Sequence, residues 1–269
     1  MAFYSKKSLG QNFLTDRKIL EKISGAAELN SHDIILEVGP GTGTLTQVLS
    51  EKAGRVVAVE KDHRLIQELS EKFSGRANIR IIEGDVLEFN PEKEGLRSDG
   101  YKIVANIPYY ITSHFIRTIL ETWPVPKLIV LTIQKEVAQR IVAQPPEMSV
   151  LALSVQFFSD AKIVGTIKAG SFHPAPKVDS AIIQLRPRAP ALAPGEWQPF
   201  FSLVKHGFSS KRKKLLNNLT PYFGTRERVS QAFKKVYIEE DIRAENLPLA
   251  SWISLYHHVG PAPEPTDRF

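Results

Sequence analysis

The clearest structural signal in the chain is residues 33–43, which read DIILEVGPGTG. The apolar run before Gly39 is typical of a strand that is buried on both faces of a parallel sheet. Glycines at alternate positions, Gly39, Gly41 and Gly43, allow the backbone to turn sharply and to approach a ligand closely. Their spacing is G-x-G-x-G, which matches neither the dinucleotide pattern G-x-G-x-x-G nor the Gly-Lys-Ser/Thr of a P-loop. The stretch therefore predicts a strand, a ligand-binding turn and the start of a helix.

Strands and helices alternate after this stretch. Apolar runs rich in Ile and Val predict strands, and segments with apolar residues at helical spacing lie between them. Two later runs, 161–168 and 178–186, predict an antiparallel hairpin at the sheet edge. The pattern indicates an open, doubly wound α/β sheet of the Rossmann type. The predicted strands are 33–38, 55–59, 79–82, 101–105 and 127–133, and the predicted helices are 43–53, 62–73, 112–122, 134–143 and 148–158.

The chain changes character after Arg186. Residues 188–199 are rich in proline and predict a linker. The residues that follow have apolar positions at helical spacing and no convincing strand. We therefore predict four regions: a Rossmann-like catalytic domain over 1–187, the linker over 188–199, a small all-helical domain over 200–260 and a disordered tail over 261–269.

Composition narrows the class of protein. The chain has 269 residues, of which 42% are hydrophobic and 24% charged, as in a folded globular protein. It has no cysteine, which excludes disulfides, thiolate metal sites and a catalytic cysteine. The seven histidines are scattered, so we predict no metal site. No apolar run is long enough for a signal peptide core or a membrane span, so we expect a cytoplasmic protein.

Positive charge is concentrated in the last third of the chain. The net charge is +6, from 35 basic and 29 acidic side chains, and residues 185–269 supply 13 of the basic and 8 of the acidic ones, a net of +5. Cations on the first turns of a helix, beside an aromatic ring, suit contacts to the phosphates of a folded RNA. A solvated helix face would carry a similar charge. The candidate RNA-binding residues are Lys205, Phe208, Lys211, Arg212, Lys213 and Lys214.

Two acids follow the next two predicted strands. Glu60, at the end of the second, is placed to bind the two hydroxyls of a ribose. Asp85, after the third, can accept a hydrogen bond from an exocyclic amine such as adenine N6. A ribose acid and an adenine acid without a phosphate-binding turn describe an adenosine that lacks a pyrophosphate. S-adenosylmethionine fits this description better than NAD or ATP.

The fourth predicted strand ends in Asn106-Ile107-Pro108-Tyr109. An adenine N6 amine is a poor nucleophile because its lone pair is delocalised into the ring. The Asn106 side-chain oxygen and the Ile107 carbonyl can accept its two N–H bonds, which frees the lone pair for attack on a sulfonium methyl. Pro108 stiffens the turn, and Tyr109 can stack on a flipped base. Positioning and polarisation then suffice without a general base.

The chain resembles the ribosomal RNA adenine N6,N6-dimethyltransferase family, in its small-subunit branch. The resemblance runs nearly end to end. It implies a fold in which a Rossmann-like S-adenosylmethionine-dependent methyltransferase sheet is followed by a small C-terminal all-helical domain. The matching segments are KSLGQNFL (7–14), EVGPGTGTLT (37–46), VEKD (59–62), GDVLEF (84–89), NIPYYIT (106–112), QKEVAQRI (134–141), FHPAPKVDSAIIQLRPR (172–188) and GFSSKRKKLLNNL (207–219).

The resemblance also assigns residues to the site. It implies that the segment around 11–14 closes over the methyl donor, and that Phe172 is a second stacking ring opposite Tyr109. The residues expected to bind S-adenosylmethionine are Gln11, Asn12, Leu14, Gly39, Gly41, Glu60, Lys61, Asp85, Val86 and Asn106. Those expected to hold the target adenine are Asn106, Pro108, Tyr109 and Phe172.

The resemblance implies dimethylation of two adjacent adenosines in the hairpin near the 3′ end of small-subunit 16S rRNA. The expected partner is a partly assembled small ribosomal subunit, and the expected oligomeric state is a monomer. Two alternatives stay open. One is the sister branch, which methylates an adenine of large-subunit rRNA and confers macrolide resistance. The other is an rRNA-binding assembly factor in which catalysis is secondary.

Overall fold

The computed structural model describes residues 11–259. The predicted tail, 261–269, and the start of the segment 7–14 lie outside these residues. Within residues 11–259, no helix is both long and apolar enough to span a membrane. In chain order the elements are β1 Phe13–Leu14, α1 Arg17–Ala26, β2 Ile34–Val38, α2 Thr44–Ser50, β3 Arg55–Glu60, α3 His63–Lys72, β4 Ile79–Glu83, β5 Lys102–Asn106, α4 Thr112–Thr122, β6 Leu128–Gln134, α5 Lys135–Ile141, α6 Val150–Phe158, β7 Ser159–Ile167, β8 Phe172–His173, β9 Ser180–Pro187, α7 Pro194–Gly207, α8 Leu215–Phe223, α9 Arg226–Lys235 and α10 Leu249–Val259.

Seven strands form one sheet in the order β4-β3-β2-β5-β6-β9-β7. The strands from β4 to β6 are parallel, and β9 runs antiparallel to both β6 and β7. The predicted doubly wound sheet with an antiparallel hairpin at its edge is confirmed. The chain leaves β2 toward β3 and β4 on one side and returns to β5 and β6 on the other. Ligands of such sheets bind at this reversal, beyond the carboxyl ends of the strands.

The central strands form because their side chains are apolar on both faces. In β3, the residues from Val56 to Val59 are almost completely buried, as are those from Ile103 to Ala105 in β5. Helix α1 covers one face, where its Leu20 and Ile23 pack in the same cluster as Val104 and Val130 of the sheet. The buried central strands therefore fix the starting points of the loops at the carboxyl edge of the sheet.

A second compact unit contains residues 140–158 and 189–259. The sequence analysis assigns 140–158 to the first domain, but here α6 packs with the C-terminal helices. The contacts are aromatic: the Phe157 ring stacks on Phe200 at 5.1 Å, and Phe158 meets Trp197 edge to face at 4.8 Å. These rings are about forty positions apart in the sequence, so no local periodicity could have predicted that α6 packs with the C-terminal helices.

Helix α7 begins inside the predicted linker. Pro194 occupies its first turn, where proline is favoured because no donor is needed there. The side chain of Glu196 reaches back and accepts a hydrogen bond from the Ala193 N–H at 2.9 Å. The proline-rich stretch therefore contains the first turn of a helix as well as a connecting segment.

One buried ion pair joins β5 to the loop before β2. The Lys102 ammonium lies 2.8 Å from the Asp33 carboxylate and donates to the carbonyl oxygens of Ala27 and Glu28 at 3.1 and 2.6 Å. Both charged side chains are at most 10% exposed. The ammonium thus satisfies the carbonyls that follow the end of α1, and it links that turn to the centre of the sheet.

We expect Lys102→Met to lower the free energy of unfolding by about 3 kcal/mol, because it leaves a buried carboxylate and two carbonyls without their partner. Urea denaturation followed by circular dichroism measures this change. The control is Lys127→Met, an exposed lysine beside the start of β6, for which a change within about 0.5 kcal/mol is expected. Equal losses in the two variants would contradict the role given to the buried pair.

Candidate active site

A cavity opens at the carboxyl ends of β2, β3, β4 and β5, at the reversal of the sheet. The segment 11–14 forms another part of its wall. All ten residues predicted to bind the cofactor line this one cavity: Gln11, Asn12, Leu14, Gly39, Gly41, Glu60, Lys61, Asp85, Val86 and Asn106. Pro108 and Tyr109 line it as well. Side chains that are far apart in the sequence therefore face one space.

The glycine turn requires glycine at each of its three positions. Gly39, Gly41 and Gly43 have φ angles of 66°, 59° and 74°, which L side chains rarely adopt. A Cβ on Gly41 would lie 2.9 Å from the ring of Phe13, and one on Gly43 would lie 2.7 Å from Phe73. The missing side chain of Gly41 thus lets segment 11–14 approach the turn.

Glu60 joins two of the loops. Its Oε2 accepts the N–H of Gly41 at 3.0 Å, and its Oε1 accepts the N–H of Asp62 at 2.9 Å. Burial raises the pKa of Glu60, although these two backbone donors oppose the effect. Each carboxylate oxygen can accept a further hydrogen bond. Glu60 can therefore hold the glycine turn and still accept from a pair of ligand hydroxyls.

Asp85 and Lys61 form an ion pair in the lining of the cavity. The Lys61 ammonium donates to Asp85 Oδ2 at 2.6 Å, and the Leu87 N–H donates to Oδ1 at 3.0 Å. Burial works against the charged form of Asp85, but the Lys61 ammonium and the Leu87 N–H outweigh it and lower its pKa. Asp85 thus accepts from Lys61 and Leu87 in this structure, and its binding of an adenine amine stays a prediction.

Glu37 is a site residue that the sequence analysis missed. It lines the cavity, is 1% exposed, and its Oε2 has no hydrogen-bond partner among the described residues. Burial, followed by the nearby Glu60 carboxylate, raises the pKa of Glu37 to about 8. The available signal was an acid within the apolar run of β2, directly before the glycine turn.

Segment 11–14 is fastened at three points. Asn106 Nδ2 donates to the Asn12 carbonyl at 3.1 Å, and Thr44 Oγ1 donates to the Leu14 carbonyl at 2.8 Å. Gln11 Nε2 donates to Oδ2 of Asp62, the N-cap residue of α3, at 2.9 Å. The predicted methyl-donor segment therefore lies against the cavity, and one of its carbonyls contacts the predicted catalytic Asn106.

The two predicted stacking rings lie in different surroundings. Tyr109 lines the cavity, is half-buried, and its hydroxyl is 2.7 Å from Ser180 Oγ. Phe172 is only 4% exposed, is paired with Leu14 between β1 and β8, and belongs to the hydrophobic core rather than to the cavity lining. The structure thus brings Tyr109 to the cavity wall and leaves Phe172 in the core beside Leu14.

The basic run lies in the second unit, between α7 and α8. The expectation that its cations occupy the first turns of a helix is wrong: α8 begins at Leu215, and Lys211–Lys214 precede it. Asn218 Nδ2 holds this loop by donating to the carbonyls of Gly207 and Ser210 at 2.6 and 3.0 Å. The five cations are exposed, and within residues 11–259 none of them forms an ion pair; they are Lys205, Lys211, Arg212, Lys213 and Lys214.

Phe208 is partly exposed beside these cations and stacks on Trp252 at 5.8 Å. One of its faces is therefore already covered by protein.

No group of three or more His, Asp or Glu side chains that could hold a metal ion occurs in the part of the chain that is described.

Comparison with known proteins gives matches along nearly the whole chain. A family model described as Ribosomal RNA adenine dimethylase matches residues 2–259. A protein of Dehalococcoides mccartyi named Ribosomal RNA small subunit methyltransferase A is 42% identical over 250 residues, which is 92% of this chain and 86% of that protein. The protein of the same name from Mycoplasmopsis pulmonis is 40% identical over 254 residues, which is 94% of this chain and 98% of that protein.

Two solved structures are similar over comparable lengths. The 23S rRNA methyltransferase ErmE has a TM-score of 0.76 at 30% identity and covers 92% of this chain and 99% of its own. A dimethyladenosine transferase from Plasmodium falciparum has a TM-score of 0.78 at 28% identity, with 93% and 98% covered. The Rossmann-like methyltransferase fold is thereby confirmed.

The buried Glu37 gives a pH-dependent prediction. Between its ordinary pKa of 4.5 and about 8, the unfolded carboxyl is ionised while the folded one stays protonated, so rising pH destabilises the wild type relative to Glu37→Gln. In the ligand-free proteins, the free energy of unfolding of the variant minus that of the wild type should rise by about 1.4 kcal/mol for each pH unit in this range. Chemical denaturation at pH 5, 6.5 and 8 measures the difference. A difference that stays constant with pH would contradict the raised pKa.

Proposed function

Because the chain belongs to the ribosomal RNA adenine dimethylase family, we propose that it transfers methyl groups from S-adenosylmethionine to the N6 atoms of two adjacent adenosines in small-subunit rRNA. The proposed target is the hairpin loop near the 3′ end of 16S rRNA, during subunit assembly in the cytoplasm. The observation that carries the proposal is the convergence of Glu60, Asp85 and Asn106 on one cavity. The names of the two curated relatives favour the small subunit over the large one.

The residues of the cavity fit S-adenosylmethionine. Glu60 can bind the ribose hydroxyls and Asp85 the adenine amine. The glycine turn presents bare backbone at the wall of the cavity, and Glu37 Oε2, which has no hydrogen-bond partner among the described residues, can accept from the ammonium of the methionine part. When bound, S-adenosylmethionine supplies a methyl group on a positively charged sulfur, which needs no further activation.

Asn106 is proposed to act on the target amine as a fixed acceptor. Its Nδ2 donates to the Asn12 carbonyl, so its Oδ1 is left to accept from adenine N6. The Ile107 carbonyl can accept the second N–H, and Pro108 restricts the backbone between this carbonyl and Tyr109. In the first transfer, two accepted hydrogen bonds would localise the nitrogen lone pair and direct it at the methyl carbon. As the N–C bond forms, the methyl–sulfur bond would break with its electron pair left on sulfur, and the amine would release one N–H proton to solvent.

Tyr109 is proposed to stack on the target base, since its ring borders the cavity. The assignment of Phe172 as the opposite ring rests on the family resemblance alone. The ring is buried in the same core cluster as Leu14, its partner on β1, and it does not line the cavity.

The exposed basic loop is proposed to bind phosphates of the small subunit. Cations without ion-pair partners can contact phosphate without first breaking a protein contact, and Phe208 offers an aromatic edge beside them. We therefore propose that the second unit binds RNA through Lys205, Phe208, Lys211, Arg212, Lys213 and Lys214.

We expect Lys211→Ala combined with Lys213→Ala to weaken binding to small subunits and to reduce the slope of log affinity against log salt by about 2, or about one for each lost phosphate contact. Filter binding at several salt concentrations measures the slope. The control pair is Lys93→Ala with Lys127→Ala, two exposed lysines outside the basic loop. An unchanged slope in the first pair would exclude the loop from phosphate binding.

The proposed activity is tested by methyl transfer from labelled S-adenosylmethionine to unmethylated small subunits, to unmethylated large-subunit rRNA and to buffer, with the methylated nucleosides separated chromatographically. N6,N6-dimethyladenosine formed only with small subunits is the expected result. Label found only with large-subunit rRNA would assign the chain to the other branch. No label despite cofactor binding would favour an RNA-binding assembly factor.

In this assay we expect Asn106→Ala to lower kcat by at least about 100-fold, because it removes the acceptor that polarises the amine. The control is Asn90→Ala, which removes an exposed amide outside the cavity lining. A kcat for Asn106→Ala close to that of the wild type would contradict the proposed mechanism.

A further inference from the structure

The Tyr109 hydroxyl forms a hydrogen bond with Ser180, a residue outside the lining of the cavity. The two hydroxyl oxygens lie 2.7 Å apart, although the residues are separated by 71 positions in the sequence. Ser180 is 0% exposed, whereas Tyr109 is half-buried at the wall of the cavity. A fully buried hydroxyl therefore holds the far end of the ring that borders the site.

Sheet register puts Ser180 on the same face as Asn106. Asn106 lies opposite Thr132 on β6, and Thr132 lies opposite Ile182 on β9. Ser180 is two positions from Ile182, and residues two apart in a strand face the same side. The serine hydroxyl and the proposed catalytic amide thus lie on the same face of the sheet, on two strands separated by β6.

Ser180 is also rigidly held. It is the first residue of β9, and it is paired with Gln134 of β6 on one side and with Ile167 of β7 on the other. Because β9 is hydrogen-bonded to a strand on each side, the backbone of Ser180 is held in place. Its hydroxyl can therefore hold the Tyr109 ring more firmly than a residue in a loop could.

The main chain fixes only one end of the Tyr109 ring. Tyr109 begins a short 3-10 turn, Tyr109–Ile111, directly after Pro108. Rotation about the side-chain bonds would still swing the ring across the cavity. The hydrogen bond at Oη removes this freedom, and burial raises the pKa of the phenol, so it stays protonated at neutral pH.

We propose that Ser180 is a positioning residue for the proposed methyl transfer: its hydroxyl fixes the tilt and distance of the Tyr109 ring, and thereby the target adenine stacked on that ring. The inference rests on the proposed function. It assigns to Ser180 an effect on the rate of transfer to the base, with no effect on the binding of S-adenosylmethionine, because Ser180 does not line the cavity.

The test compares Ser180→Ala, Tyr109→Phe and the double variant on unmethylated small subunits at saturating S-adenosylmethionine. Tyr109→Phe keeps the stacking face and removes only the hydroxyl. We expect each single variant to lower kcat by about tenfold, since each loses the same positioning hydrogen bond. The double variant should be no slower than either single variant, because the contact can be lost only once. Ser180→Thr, which keeps the hydroxyl, should recover most of the rate.

The matched control is Ser159→Ala. Ser159 is also a buried strand serine, at the opposite end of β7, and its replacement tests whether any lost buried hydroxyl slows transfer. Its kcat should stay close to that of the wild type. Affinity for S-adenosylmethionine, measured by calorimetry, should stay within about twofold in all variants.

Three results would overturn the proposal: wild-type kcat in Ser180→Ala, equal losses in Ser180→Ala and Ser159→Ala, or losses that multiply in the double variant. Failure of the proposed function itself is distinguishable. In that case the wild-type protein would not methylate small subunits at all, whereas failure of this inference alone would leave the wild type active and Ser180→Ala equally active.

Discussion

The site depends on one buried carboxylate. Glu60 accepts the backbone N–H groups of Gly41 and Asp62, so it ties the turn after β2 to the turn after β3. Parallel strands bring these turns to one edge of the sheet, but sheet hydrogen bonds end where the strands end. Beyond that point a side chain has to fix the loops, and an acid inside the protein is a strong acceptor because little water competes with it.

The surroundings of the three acids of the cavity differ. Glu37 and Glu60 are buried, no cation among the described residues is bonded to their carboxylates, and their pKa values are raised. Asp85 faces the Lys61 ammonium, and its pKa is lowered. The three acceptors of one cavity therefore differ in how readily each carries a negative charge.

The apolar pattern and the glycine spacing were sufficient to predict the strands of the sheet. Each of its seven strands lies within two residues of its predicted bounds. For the central strands this follows because a strand buried on both faces has to be apolar throughout. The residues predicted to bind the cofactor also converge, since the sheet order brings the ends of β2, β3 and β5 together. Their predicted roles stay predictions.

Other features could not be read from the sequence. Glu37 lies inside an apolar strand, so its only signal was an acid directly before the glycine turn. Ser180 carries no local signal because its partner, Tyr109, is 71 positions away. The packing of α6 with the C-terminal helices depends on aromatic contacts between distant segments. The cations at Lys211–Lys214 were placed on a helix because their composition suits one, yet the chain runs as a loop until Leu215.

The hydrogen bond between Asn106 and the Asn12 carbonyl joins residues 94 positions apart. Any displacement of segment 11–14 would break that bond and leave the Asn106 amide free to rotate. The position of a segment near the start of the chain and the orientation of an amide at the end of β5 are therefore coupled through one hydrogen bond.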